Sequence, residues 1–149
     1  MAPWIEVRSQ PMCQEIDPAY WKPTPKEVSA MQQADLIILN GASYEQWLKN
    51  VSVPPSKLVN TTAGLSDRLI PLAKSTMHSH ELEREHEHSG TAFSTWLDMS
   101  LAVEQVGAIT VALSARWPEQ ETQLEQSFTA LDKELLMLDE AITKTVRVA

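Results

Sequence analysis

Cysteine is almost missing from this chain, glycine is scarce, and basic residues are outnumbered. One cysteine, Cys13, leaves no internal disulfide, no Cys-x-x-Cys redox pair and no cysteine-built zinc cage. Four glycines leave little room for a phosphate cradle, and no Gly-x-Gly-x-x-Gly, P-loop or Gly-x-Ser-x-Gly pattern occurs. With 12 basic residues against 20 acidic ones the formal charge is −8, which repels phosphate backbones and anionic lipid surfaces. Nucleic acid is therefore not an expected partner. No apolar run approaches the ~18 residues that would span a membrane, and the opening MAPWIEVRSQ has neither the basic start nor the apolar stretch of a secretory signal.

What remains is an ordinary globular composition, 43% hydrophobic and 21% charged over 149 residues. That length fits one domain, expected over residues 1–149. The opening WIEVRS alternates like a half-buried strand, and the proline-rich PAYWKPTP after it reads as a loop. Thr24, Pro25 and Glu27 predict a capped helix running to about Ala34. DLIILNG is a continuous apolar run of strand length, the pattern of a strand buried on both faces of a parallel sheet. YEQWLKNV reads as a short helix and KLVNTT as another strand. The alternation predicts an α/β fold, a parallel sheet flanked by helices. Two helices follow at about 97–117 and 119–146, separated by Pro118. The second is long and amphipathic, with Leu124, Phe128, Leu131, Leu135, Leu138 and Ile142 spaced alternately by four and three.

All four histidines fall between residues 78 and 88, in a His/Glu-rich loop at about 73–92. Two His-x-His pairs, His78/His80 and His86/His88, bracket a run of glutamates. If the loop folds over, they bring two to four imidazole nitrogens and some carboxylate oxygens around one zinc. The competing reading is a solvated acidic loop. A hydrolase site of the His-x-His kind needs a buried strand, and the flanking LAKSTM and ELEREHEH are too polar for that. No catalytic constellation is visible, so the chain reads as a binding protein and not an enzyme.

The order of motifs carries a resemblance. Asp17-Pro18 followed by Pro23-Thr24-Pro25, then ADLIILNG with Glu45-x-Trp47-Leu48, then LVNTT, the histidine loop and Trp96-Leu97-Asp98 resembles the N-terminal lobe of the zinc- and manganese-type substrate-binding proteins of bacterial ABC transporters. The resemblance implies two α/β lobes joined by a long helix, a divalent transition metal as cargo, a membrane permease as partner, and a periplasmic or extracellular location. Of that plan this chain matches one lobe, without a counterpart of the family's first strand and helix ahead of Trp4. It also implies two histidine ligands from this lobe. One would follow Asp-Pro, where Ala19 stands; the other would lie two residues before the Trp, where Ser94 stands behind Phe93. Neither residue replaces an imidazole. The expected residual chemistry is weak zinc handling by His78, His80, His86 and His88. The alternative is an interaction module derived from the same fold, with the last helix pairing two copies through its apolar stripe. Trp47 and Trp96 are expected in the core, whereas Tyr20 and Trp21 border the cleft.

Overall fold

The computed structural model describes residues 5–8, 19, 21–72 and 91–148. Among these, three α-helices and two strands are linked by short 3-10 turns. α1 spans Pro25–Gln33, β1 Ile37–Leu39, β2 Leu58–Asn60, α2 Met99–Arg116 and α3 Glu121–Val148.

α1 begins where the sequence says it should. The Thr24 hydroxyl accepts from the Glu27 N–H at 3.4 Å, while the Glu27 carboxylate accepts from the Thr24 N–H at 2.6 Å. This reciprocal pair is a capping box, with Pro25 in the first turn where no N–H is needed. At the other end Lys57 donates its ammonium to the carbonyls of Gln32 and Ala34, at 2.8 and 2.7 Å. A cation there satisfies orphan carbonyls and complements the helix dipole.

β1 and β2 are parallel, with Ile37, Ile38 and Leu39 opposite Leu58, Val59 and Asn60. The expectation of burial on both faces holds only in part, because Leu39 is buried and Ile38 is 42% exposed. WIEVRS is a correction too: residues 5–8 form no strand, and Val7 is exposed. Alternation prepares a segment for a sheet, but a strand exists only where a neighbour completes its ladder. YEQWLKNV folds as a 3-10 turn, Gln46–Asn50, between a left-handed turn and Pro54-Pro55, which leaves it too short for an α-helix.

Asp98 starts α2, its carboxylate accepting from the N–H groups of Ser100 and Leu101 at 2.9 and 3.1 Å. The helix ends at Trp117, before Pro118 and a single 3-10 turn, and the chain reverses into α3. α2 packs chiefly on α3, with Gly107 against the ring of Phe128, and Arg116 pairs with Asp35 at 2.6 Å, tying the end of α2 to the start of the β1 segment. Among the described residues the buried apolar side chains are Ala19, Leu39, Ala42, Trp47, Leu65 and Leu101. Trp96, expected in the core, is 42% exposed.

Candidate functional site

In a parallel sheet the carboxyl ends of the strands gather the loops that meet ligands. Here Asn40 directly follows β1 and Thr61 directly follows β2, and both residues belong to one polar cluster. The Asn40 amide group donates to the Phe93 carbonyl at 3.0 Å and to the Gly41 carbonyl at 3.1 Å. Gln105, on α2, donates to the Asn40 side-chain oxygen at 3.1 Å and to the Thr61 hydroxyl at 2.7 Å. The Thr95 hydroxyl donates to the Gln105 oxygen at 3.0 Å, with the Asn40 oxygen as a second acceptor at 3.2 Å. The Thr61 hydroxyl completes the set by donating to the Asn40 backbone carbonyl at 3.1 Å.

Thr61, Thr95 and Gln105 are buried. A buried polar cluster is stable only when its donors are used, because each orphan carries a desolvation cost. In this cluster every side-chain donor is used within the lobe. The cluster joins four elements: the ends of β1 and β2, the turn at Phe93–Thr95, and α2. Its outlet is residue 94. Phe93 is gripped at its carbonyl and Thr95 at its hydroxyl, while Ser94 between them is exposed and its hydroxyl has no partner among the described residues.

Aromatic rings flank the same place. Tyr44 lies 5.1 Å from Phe93, tilted, and 5.6 Å from Trp96 in an edge-to-face arrangement. Trp96 also borders an open, shallow apolar depression between β1 and α2, together with Ile38, Leu39, Val106 and Ile109. On the far side of the segment, Pro71 and Thr91 form an antiparallel bridge, and the Ala92 N–H donates to the Ile70 carbonyl at 2.8 Å. The two stems of the histidine loop are thus fixed to one another next to residue 94.

His78, His80, His86 and His88 themselves lie outside the described residues, as do Cys13, Asp17, Pro18 and Tyr20. Among the described residues no group of three or more His, Cys, Asp and Glu converges as a metal site. Ala19, at the other position where the resemblance implies a ligand, is buried with 1% exposure. Trp21 packs edge-to-face on Trp47 at 5.5 Å, and the Trp47 indole N–H is buried without a partner among the described residues.

A model of the family described as the periplasmic zinc-uptake complex component A matches residues 9–149. The chain belongs to that family. Among curated relatives, it is 28% identical over 141 residues to the high-affinity zinc uptake system protein ZnuA of Bacillus subtilis, covering 90% of this chain and 43% of that protein. It is 27% identical over 127 residues to the zinc-binding lipoprotein AdcA of Streptococcus pneumoniae, covering 84% of this chain and 25% of AdcA. Among solved structures, the metal-dependent lipoprotein YcdH of B. subtilis shares the fold, with a TM-score of 0.70 at 23% identity over 90% of this chain and 45% of YcdH. The chain spans less than half the length of these relatives.

Sequence reasoning anticipated the α/β class and the family. It missed the polar cluster, since neither Asn40 nor Gln105 stood out as a candidate residue. The one signal available was that Gln105 lies four residues after Leu101, on the inward face of α2.

Proposed function

We propose that this chain is the N-terminal lobe of a zinc- or manganese-type substrate-binding protein of an ABC import system, that it takes no transition metal tightly at Ala19 and Ser94, and that His78, His80, His86 and His88 handle zinc instead. The cargo would be a divalent metal and the partner a membrane permease, with the lobe acting by binding and not by catalysis. Family membership supports the cargo. The observation that carries the assignment to the loop is the paired base at Pro71 and Thr91, beside the residue-94 face. His88 is three residues from Thr91, so the chain can span at most about 10 Å between the two positions.

Zinc affinity should weaken as the medium falls below pH ~6.5, where histidine takes up a proton and stops ligating. Calorimetric titration with zinc at pH 7.5 and 5.5 tests this, in the native chain and with all four histidines changed to Ala. Affinity lost in the variant and reduced at pH 5.5 supports the loop. Submicromolar zinc binding that survives the four changes would place the donors elsewhere.

A second reading, pairing of two copies, is favoured by α3. Its 28 residues make a helix of about 42 Å, against about 27 Å for the 18 residues of α2 that cover it. Leu131, Leu138, Ile142 and Val146 are left 39–69% exposed. A two-fold pairing would bury such a stripe. Sedimentation at several concentrations, with and without Leu135→Glu and Leu138→Glu, decides it. A monomer at tens of micromolar in the native chain rejects the pair.

A further inference from the structure

The backbone turn that follows β1 is unusual. Gly41, Ala42 and Ser43 are consecutively left-handed, with φ of 79°, 49° and 66°, a conformation that residues other than glycine adopt rarely and that persists only when the surroundings impose it. What imposes it is the carboxylate of Glu45. Its Oε1 accepts from the Asn40 N–H at 2.7 Å and its Oε2 from the Gly41 N–H at 3.1 Å, so one side chain closes the turn on itself with both oxygens. The Tyr44 N–H donates to the Gly41 carbonyl at 2.9 Å and completes the loop.

Each end of this turn then reaches the same segment. From the Asn40 end, the amide holds the Phe93 carbonyl and shares the Thr95 hydroxyl. From the other end, the Tyr44 ring packs on Phe93 and Trp96. Ser94 sits between these two grips. We infer that Glu45 is the positioning residue of the residue-94 face: it locks the turn at 41–44, and through Asn40 and Tyr44 it fixes where Phe93–Trp96 present whatever side chain stands at position 94. Glu45 touches no cargo itself. The inference rests on the reading that residue 94 borders the binding cleft, but not on the histidine loop.

Glu45 is half-buried, and burial pushes its carboxyl pKa above the usual glutamate value of 4.5. The N–H groups of Asn40, Gly41 and Glu45 itself pull the other way and do not fully compensate. A neutral carboxyl carries its proton on one oxygen, which then accepts poorly, so protonation weakens one of the two N–H bonds and loosens the lock.

The test is an amide NMR titration of the full chain from pH 8 to 4. The expected result is one step, centred above pH 4.5, shared by the Asn40 and Gly41 amides and by the Phe93–Trp96 amides, including the Trp96 indole. Glu45→Gln should remove that step from both groups of signals, and changing the four loop histidines to Ala should leave it in place. Tyr44→Leu serves where Glu45→Gln does not fold: the Asn40 and Gly41 step should remain while the Trp96 response falls at least twofold. Phe93–Trp96 signals that ignore the step, or a step that survives Glu45→Gln, would overturn the assignment. Failure of zinc binding by the loop leaves this titration unchanged, so the two readings fail separately.

Discussion

The carboxyl ends of the two strands and the long last helix invert the usual division between polar and apolar. At the strand ends, Thr61, Thr95 and Gln105 are buried while the apolar Ile38 and Trp96 beside them are substantially exposed. Along α3 the apolar residues are regularly spaced, yet Leu131, Leu138 and Ile142 are exposed. The difference lies in what each arrangement specifies. Burying apolar surface is non-directional and tolerates many partners, so a stripe of leucines prepares a face without choosing its neighbour. A satisfied amide and hydroxyl cluster is directional, and it admits one relative placement of the elements it joins. The first region has traded core for placement; the second holds apolar surface in readiness.

The comparison predicts a graded series of stability losses. Asn40→Leu should be the most damaging, since it takes the acceptor from one Gln105 amide proton and the amide donor from the Phe93 carbonyl. At about 1–3 kcal/mol for each buried group left unsatisfied, a loss of about 4 kcal/mol is expected by urea unfolding. A loss under about 1 kcal/mol would mean that water replaces the amide and that the cluster places nothing. Leu101→Ala, within the small buried core, should cost about 3 kcal/mol. Gly41→Ala comes next, at about 2 kcal/mol, because a methyl group there would overlap the side chains of Asn60 and Thr62 at a φ of 79°.

Asp98→Ala should cost about 1 kcal/mol through loss of the α2 cap. Its sign with pH can be worked out. The Ser100 hydroxyl, the Leu101 N–H and further weaker partners hold the Asp98 carboxyl below its usual range. The native state therefore keeps the charged form longer than the unfolded chain does. The stability it contributes is present above the ordinary aspartate pKa and is lost as pH falls through the lower native value. The variant should lack that part of the acid loss. Smallest of all is Leu138→Ala on α3, expected within about 0.5 kcal/mol when the chain is dilute and monomeric. A cost near that of Leu101→Ala would show that the stripe is covered, and a cost that grows with protein concentration would show that a second copy covers it.

Much of this was legible in local residues. Thr24-Pro25 with Glu27 fixes the start of α1, Asp98 the start of α2 and Pro118 its end, because caps and prolines act within one turn of chain. The order of Asp-Pro, Asn-Gly, Glu-x-Trp-Leu and Trp-Leu-Asp carried the resemblance to the family, and two of these motifs also serve a local need: Gly41 takes the left-handed turn and Asp98 caps α2. WIEVRS failed, since strand formation depends on a partner and not on the segment. Trp96 failed as a core residue, because hydrophobicity does not reveal whether a second layer lies over it.

By itself, then, the sequence determined the helices and the parallel strand pair, which follow from periodicity and short-range chemistry, while the order of its motifs carried the resemblance to the family. Only the tertiary structure decided that Asn40, Thr61, Thr95 and Gln105 meet, across separations of up to 65 residues. Hydrogen bonds of that kind leave no periodic trace. They depend on the angle and distance at which distant elements come together, and those are fixed only once the chain has folded.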